Sequence, residues 1–397
     1  MRILQLTLKP PFPPVDGGAL AMAQICQGLL AAQQQVKLLT LHTPKHPFRA
    51  DAMAQELIQQ TDLEAVFADT RLKPHRAFFN LFSERSYQLE RFEVAAMHQK
   101  LKAVLQQERF DIVHIESLFM LPYIATVRQY STAKVVWRPH NVEHHLGKAQ
   151  ASQESGLKRW YWKLLSQRLK RYELAQLNAC DGIACITEKD RQYFITAGAK
   201  VPTLHLPFGM AFPPIQPTVT PGKDLVFLGA LDWHPNVDGL QWMVKEVWPL
   251  IRRSYPEMRF RIAGRNPGNS IAALQGQGVE IIGEVPNVAD FLQSGAVVVA
   301  PVRAGSGVRI KVLETLALGL PLVTSSKGIE GTDLRADDHL KVADQPADFS
   351  SAIQQLMEKP EIGVQMGKNA RKFMTHHHEL GRVTDQLVQF YQDLLDE

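Results

Sequence analysis

The sequence predicts two α/β domains, each a parallel sheet doubly wound with helices. Short apolar runs rich in β-branched residues alternate with longer stretches of helical spacing, which is typical of βα units around a parallel sheet. The chain has 397 residues, 45% of them hydrophobic. This is enough to form about two cores at ~150–200 residues each and excludes a disordered chain.

The first domain is predicted to span residues 1–206, where the alternation begins at the first residues. Its predicted strands are Arg2–Thr7, Val36–His42, Asp111–Ile115, Lys134–Arg138, Asp181–Thr187 and Thr203–Leu206. Its predicted helices lie near 18–33, 87–107, 158–178 and 188–197.

Residues 207–222 contain five prolines and no charged side chain, a composition that suits a semi-rigid linker. The alternation restarts in residues 223–379, the predicted second domain. Its predicted strands are Asp224–Gly229, Arg259–Ala263, Val279–Ile282, Ala296–Ala300 and Pro321–Thr324, with helices near 237–254, 287–293 and 308–318.

The last residues, 380–397, have the spacing of an amphipathic helix, and we expect this helix to return to the first domain. Ligands of open α/β sheets bind at the carboxyl ends of the strands. Two such domains therefore predict a ligand-binding cleft between them.

Charge and cysteine content exclude several classes of protein. The formal net charge is only +4, which is too balanced to require nucleic acid as a partner. The three cysteines are odd in number and lack metal-ligand spacing, so we expect a reducing, cytoplasmic location. The consecutive residues His376–His378 cannot converge on one ion from a helix, and we interpret them as a surface turn.

No apolar run reaches the ~18–20 residues that cross a bilayer. Residues 158–171 combine six basic residues with Trp160, Tyr161 and Trp162. One interpretation of this segment is a helix that contacts the inner face of the cell membrane. The alternative is a solvated helix face whose aromatic side chains pack inward.

Residues 296–321 give the strongest indication of chemistry. They are interpreted as a buried strand, a tight glycine-containing loop, a helix and a second buried strand. Glycines let the backbone approach a ligand closely, and the free N–H groups of a helix start favour a diphosphate. Cations are unfavourable in the first helical turn unless an anion lies beside them. The candidate residues here are Gly305, Gly307, Val308, Arg309 and Lys311.

Glu314 lies three residues after Lys311, outside the apolar arc of the predicted helix. Two interpretations are open. The pair forms a surface ion pair worth a few tenths of a kcal/mol, or the carboxylate accepts the two hydroxyl groups of a ribose beyond the phosphate loop.

These segments resemble the donor domain of glycosyltransferase family 4. That family has the GT-B fold of two Rossmann-like domains, uses nucleotide-activated sugars, retains the anomeric configuration and needs no metal. The match covers residues 224–331 and extends more weakly to the first domain. It is carried by Phe227–Asn236, Arg261–Gly264, Gly305–Pro321, Asp16–Gly18 and Phe110–Glu116.

The resemblance implies that a UDP- or GDP-linked sugar is the substrate and that no resident cofactor is present. Glu314 matches the second glutamate of the family's paired-glutamate motif, expected on the donor ribose, whereas Ser306 stands at the first. The family's Arg and Lys after the first strand of this domain are absent from Ala230–Asn236. Arg309 and Lys311 are candidates to supply that charge.

Further candidate donor-binding residues follow from the same match. His234 and Asn236 are possible hydrogen-bond donors, although Asn236 is equally suited to cap a helix start. Gly264 directly follows the predicted strand Arg259–Ala263. The loop 283–287, with Val285 and Asn287, corresponds to the family's base-contacting segment, and a plain βα turn is the alternative.

In the first domain, Gly17 and Gly18 permit close approach of an acceptor or a phosphate, although a helix entry alone explains them. His140 resembles a cleft histidine of related transferases. Glu116 ends a strand at a position where the family often has histidine, and we expect it at the cleft. A structural role for His140 is also open.

The resemblance therefore implies a metal-independent, retaining hexosyltransferase that moves a sugar to a glycan or lipid-linked acceptor in cell-surface polysaccharide synthesis. The diphosphate leaving group would help to take the acceptor proton in a front-face substitution. One alternative is a non-catalytic nucleotide-sugar-binding partner of a polysaccharide assembly complex, because Ser306 replaces the family glutamate. Another is a different reaction on the same fold, such as 2-epimerisation.

Overall fold

The computed structural model describes residues 1–212, 222–305 and 307–397, which divide into two compact units. Met1–Met210 and Leu380–Glu397 form the first unit, and Ala211–Glu379 form the second. Most of the predicted linker lies outside the described residues. Its first part does not behave as a linker, since Phe208 and Met210 are buried in the first unit.

The first unit contains a seven-stranded sheet in the order β3-β2-β1-β4-β5-β6-β7, with every neighbouring pair parallel. The strands are β1 (Arg2–Thr7), β2 (Gln35–His42), β3 (Glu64–Phe67), β4 (Ile112–Glu116), β5 (Lys134–Arg138), β6 (Gly182–Cys185) and β7 (Thr203–His205). Six of these were predicted. The edge strand β3 was missed because it is only four residues long and none of its residues is fully buried.

Helices cover both faces of this sheet. They are α1 (Gly17–Ala31), α2 (Gln55–Thr61), α3 (Pro74–Asn80), α4 (Tyr87–Glu90), α5 (Ala95–Gln107), α6 (Ile124–Tyr130), α7 (Glu143–Gln153), α8 (Gly156–Ala175), α9 (Glu188–Thr196) and α17 (Leu380–Asp396). The single helix predicted near 87–107 is wrong, because α4 and α5 are separated by a turn.

The carboxyl-terminal helix α17 belongs to the first unit because its apolar face completes that unit's core. Val383, Leu387 and Tyr391 are buried against α1 and the sheet. The approach to α1 is close, since a Cβ at Gly28 would lie 2.1 Å from the hydroxyl oxygen of Thr384.

The second unit contains a six-stranded parallel sheet in the order β10-β9-β8-β11-β12-β13. The strands are β8 (Leu225–Leu228), β9 (Phe260–Ala263), β10 (Val279–Gly283), β11 (Val297–Ala300), β12 (Leu322–Thr324) and β13 (Lys341–Val342). The helices are α10 (His234–Trp242), α11 (Trp248–Ser254), α12 (Asn269–Ala272), α13 (Val288–Gln293), α14 (Ile310–Ala317), α15 (Pro346–Glu358) and α16 (Pro360–His378).

Two details of this unit differ from the predictions. The helix predicted near 237–254 is two helices joined by a π-helical segment, Met243–Val247. The predicted turn at His376–His378 is wrong, because these residues form the last turn of α16 and His378 is buried. Among the described residues, no group of three His, Cys, Asp or Glu side chains is placed to hold a metal ion.

The two sheets confirm the predicted fold class, and each has a point where the strand order reverses. In the first unit β1 lies between β2 and β4, and in the second β8 lies between β9 and β11. Ligands of doubly wound sheets bind at the carboxyl ends of the strands beside such a point. In the part of the chain that the structure describes, no helix is long and apolar enough to cross a bilayer.

Candidate functional site

At the carboxyl edge of the second sheet, three consecutive loops are joined through their backbones. The amide of Gly229 donates to Ala263, that of Leu231 to Arg265, and that of Gly264 to Gly283, at 2.8–3.0 Å. Gly264 has φ +154°, and a Cβ there would lie 1.6 Å from the carbonyl oxygen of Gly229. The residue must therefore be glycine for these loops to meet.

The loop between β11 and α14 is supported by Arg309. This side chain is buried, donates from Nη2 to the carbonyl of Ala304 at 3.2 Å, and lies 5.6 Å from the ring centroid of Trp233. A Cβ on Gly305, which has φ +93°, would lie 3.0 Å from the same guanidinium. Arg309 thus connects the loops after β8 and β11 across the point where the strand order reverses.

The helix α14 begins at Ile310, two residues later than predicted. Val308 is therefore a half-buried loop residue, and Gly307 adopts φ +81° beside it. Ser306 lies outside the described residues. Arg309 is the residue before the first helical turn, and Lys311 is within that turn.

Lys311 and Glu314 are both half-buried, and no ion pair or side-chain hydrogen bond to either is present among the described residues. Burial lowers the pKa of Lys311 to about 8, opposed by Glu314 and assisted by the nearby charge of Arg265. Burial raises the pKa of Glu314, opposed by Lys311. The surface ion-pair interpretation is therefore wrong. An ammonium group withdrawn from water without a partner is costly unless a ligand supplies the opposite charge.

Arg265 was missed by sequence reasoning. It is exposed at the carboxyl end of β9, immediately after Gly264, and close enough to Lys311 to affect its pKa. The available signal was its position directly after Gly264, the glycine that follows the strand. It adds a third cation to Arg309 and Lys311 at this edge of the sheet.

Other predicted donor-side residues have identifiable structural roles. Asn236 is not a helix cap, since its Nδ2 donates to the carbonyl of Ala230 at 2.9 Å and Trp233 occupies the cap position of α10. Asn287 caps α13, accepting from the amides of Ala289 and Asp290. His234 is exposed at the first position of α10, and Val285 is half-buried.

In the first unit, Gly17 is the first residue of α1, and Asp16 caps that helix by accepting from the amide of Ala19 at 2.8 Å. Both carboxylate oxygens of Asp16 also accept from the Nζ of Lys9 at 2.7 Å. Although burial favours the neutral acid, the charge of Lys9 brings the pKa of Asp16 down to about 2. A Cβ on Gly18 would lie 3.1 Å from the same Nζ.

Glu116 is fully buried at the end of β4, so the expectation that it faces a ligand needs correction. Its Oε2 accepts from Arg138 at 3.1 Å and lies 2.7 Å from the Nε2 of His140. Its Oε1 accepts from Gln5 at 3.0 Å and lies 3.3 Å from His114. Burial opposes ionisation, yet Arg138 and the two histidines hold the pKa of Glu116 well below its usual range.

His140 retains 13% of its side-chain exposure and is the member of this network that meets solvent. Burial lowers its pKa in spite of Glu116, so the ring is neutral near pH 7. With Nε2 donating to the carboxylate of Glu116, Nδ1 keeps its lone pair for another group. The network continues through His114 to the hydroxyl of Tyr391 on α17, 2.6 Å away.

Two family models match the chain. The model described as Glycosyltransferase Family 4 matches residues 15–206, and the one described as Glycosyl transferases group 1 matches residues 222–359. An uncharacterized 44.6 kDa protein in the cps region of Klebsiella pneumoniae is 20% identical over 98% of this chain and 99% of its own length.

Solved structures with the same fold cover nearly the whole chain. Sucrose-phosphate synthase from Thermosynechococcus elongatus is 16% identical with a TM-score of 0.69, covering 100% of both chains. HepE from Anabaena, in complex with UDP, is 12% identical with a TM-score of 0.65, covering 99% of this chain and 100% of its own. A mutant of S. aureus TarM, in complex with fondaparinux, alpha-GlcNAc-glycerol and UDP, is 10% identical with a TM-score of 0.69, covering 98% and 100%.

The fold and the family matches together define a glycosyltransferase of the GT-B class. More specifically, the chain belongs to glycosyltransferase family 4.

Proposed function

We propose that this protein is a retaining glycosyltransferase whose second unit binds a nucleotide-sugar donor and whose first unit binds the acceptor. One observation carries the donor site. Lys311 and Glu314 are half-buried beside a glycine-containing loop, at the point where the strand order reverses. Neither the ammonium group nor the carboxylate has an ion-pair partner among the described residues.

Each group has a role that its chemistry permits. The diphosphate of the donor lies against Gly305, Gly307 and the first turn of α14, where the N–H groups of the helix start, Lys311 and Arg265 neutralise its charge. The carboxylate of Glu314 accepts the two ribose hydroxyls. Arg309 holds the loop in shape through Ala304 and Trp233.

In the transfer step, the bond between the anomeric carbon and the diphosphate oxygen breaks, and the bond to the acceptor oxygen forms on the same face of the sugar. The acceptor proton passes to the departing diphosphate. Cations that stabilise the growing negative charge lower the barrier most, because that charge is largest in the transition state.

His140 contributes from the first unit. Its neutral ring is oriented by Glu116, which leaves Nδ1 to accept a hydrogen bond from a hydroxyl of the substrate. Glu116 is then a positioning residue, because its own carboxylate is enclosed.

The solved relatives bound to UDP support a uridine nucleotide as the first donor to test, with GDP as the second. The position of the Klebsiella relative in a cps region supports a role in cell-surface polysaccharide synthesis. The hexosyl nature of the transferred group, metal independence and a cytoplasmic location are parts of the same proposal.

A lipid-linked acceptor requires contact with a membrane surface, and α8 offers one. Leu157 and Trp160 on its first turns are 86% and 56% exposed, and the neighbouring Lys158, Arg159 and Lys163 are exposed as well. Aromatic and apolar side chains among cations are typical of helices that lie in a lipid interface. Replacing Leu157 and Trp160 by serine should reduce co-sedimentation with anionic vesicles, whereas co-sedimentation equal to that of the wild type would remove α8 from the proposal.

The donor site is tested by titrating UDP, GDP and ADP into the wild type and into Lys311→Ala and Glu314→Ala. We expect at least tenfold weaker binding in both variants, and unchanged binding in Lys245→Ala, which removes an exposed lysine of the same unit. Wild-type affinity in both site variants would overturn the assignment. Nucleotide binding with no donor hydrolysis and no transfer across an acceptor panel would instead support the non-catalytic binding protein.

A further inference from the structure

The first unit contains a cavity of about 540 Å³ at the carboxyl ends of β1, β2 and β3. Its volume is within the ~300–1,000 Å³ typical of small-molecule pockets. Four basic side chains, Lys9, Lys45, Arg71 and Arg91, line it together with His46, and its lining residues include no carboxylate. Neither the donor site nor the Glu116 network uses these side chains.

Two of the four cations are neutralised by neighbouring acids. Lys9 pairs with Asp16, which also lies 3.2 Å from the Nε2 of His46. Arg71 pairs with Asp69 at 2.8 Å. These ion pairs hold Lys9 and Arg71 in the wall of the cavity, but their positive charges are already compensated and attract a ligand only weakly.

The other two cations have no such partner. Lys45 is exposed, and no carboxylate pairs with it or with Arg91 in the described ranges. Arg91 is half-buried and held in place, since one of its terminal nitrogens donates to the carbonyl of Thr70 at 3.0 Å. The guanidinium also lies 5.8 Å from the ring centroid of Tyr87 and 6.0 Å from that of Phe92.

Arg91 keeps a buried donor that nothing satisfies. Its Nε has no hydrogen-bond partner, and burial lowers the pKa of the guanidinium. A buried donor of a charged group that is left unsatisfied destabilises the folded chain, because the group has lost its hydrogen bonds to water. A rigid guanidinium is the side chain best matched to a phosphate or carboxylate, because it can donate two parallel hydrogen bonds.

We propose that this cavity binds an anionic group of the acceptor, a phosphate, diphosphate or sugar carboxylate, through Arg91 and Lys45. The proposal rests on the proposed function, which places the acceptor on the first unit. The cavity lies at the carboxyl edge of the sheet, beside Gly18 and the start of α1, where ligands of this fold bind. A neutral glycan would leave both cations uncompensated.

The test uses inorganic diphosphate, geranyl diphosphate and glucuronic acid as probes, with maltose as the neutral comparison. Binding is measured by calorimetry on the full chain, with the nucleotide found in the donor titration present at saturation so that the donor site is closed to diphosphate. The variants are Lys45→Gln, Arg91→Gln and the double change. Lys200→Gln is the matched control, because it removes an exposed lysine that precedes β7 at the opposite edge of the same sheet.

We expect at least one anionic probe to bind the wild type, at least tenfold weaker binding in the double variant, and wild-type binding in Lys200→Gln. Tighter binding of geranyl diphosphate than of inorganic diphosphate supports a lipid-linked source, and binding of glucuronic acid alone supports an acidic glycan. The proposal is overturned if no anionic probe binds the wild type at millimolar concentration, or if the double variant binds as the wild type does.

Two further measurements separate the possible failures. Lys45→Gln tests the cavity even if changes at Arg91 prevent folding, because the side chain of Lys45 is exposed. Nucleotide binding should persist in both single variants, so that its loss in Lys311→Ala reports on the donor site alone.

Discussion

Replacing Lys311 by methionine should stabilise the fold while it removes donor binding. Burial lowers the pKa of this lysine from 10.5 to about 8. At about 1.36 kcal/mol per pKa unit, the charged form costs up to about 3 kcal/mol of folding free energy at neutral pH. Because the side chain is only half-buried and solvent screens part of this cost, we expect Lys311→Met to gain about 1–3 kcal/mol.

The difference in stability between the wild type and Lys311→Met should depend on pH in a direction that follows from the two pKa values. The folded-state pKa lies below the unfolded one, so between about pH 8 and pH 10.5 the unfolded chain binds more protons at Lys311 than the folded chain does. The free energy of unfolding of the wild type therefore rises with pH in this window relative to that of Lys311→Met. The advantage of the variant is full below about pH 8 and disappears above about pH 10.5.

Urea unfolding of the two proteins at pH 7 and pH 10 measures this difference directly. Lys245→Met provides the control, because Lys245 is exposed and its replacement should change the stability by less than about 0.5 kcal/mol. Donor nucleotide is then titrated at pH 7, where Lys311→Met should bind at least tenfold more weakly. A variant that is less stable than the wild type, or that binds nucleotide equally well, would refute the reasoning.

Three other outcomes follow from the same geometry. Nucleotide affinity of the wild type should fall as the pH rises through about 8, where free Lys311 loses its proton, and calorimetry of Lys311→Arg should show no such fall. Glu116→Gln should lower kcat more than tenfold, with nucleotide affinity unchanged, because it removes the charge that orients His140; an unchanged kcat would exclude the positioning role. Gly264→Ala should lower the stability by about 2–4 kcal/mol in thermal unfolding, since its Cβ would overlap a backbone carbonyl, whereas Gly268→Ala, with nothing within 4 Å, should lower it by less than about 1 kcal/mol.

Much of the fold could be predicted because parallel strands are buried on both faces. Runs such as Arg2–Thr7 and Lys134–Arg138 are recognisable for that reason, and the observed strands have the same bounds. The edge strand β3 and the short β13 were missed, since an edge position requires no continuous apolar run. The long helices α15 and α16 were not predicted either.

The candidate donor site was predicted only at the level of the segment. The glycines and the charged residues of 305–314 were identified, but their environments were not. Whether Lys311 and Glu314 form a surface ion pair depends on how the rest of the unit packs around α14. In the structure both side chains are half-buried and do not pair. Arg265 joins them only because β8, β9 and β10 bring their loops together.

In the first unit, the contacts between the predicted site residues could not be derived from the sequence. Glu116 and His140 were predicted separately from strand ends, whereas in the structure Glu116 contacts His140, Arg138 and His114. His114 in turn contacts Tyr391, 277 positions away along the chain. The basic cavity has the same origin, since Lys45 and Arg91 belong to no common motif.

By itself the amino-acid sequence determined the alternation of strands and helices, the glycine-lined loop and the family, because these depend on neighbours along the chain. Tertiary structure alone decided which charges are withdrawn from water, which are paired and which are left for a ligand. Those properties depend on the dielectric surroundings and the partners that folding brings together across the sheet.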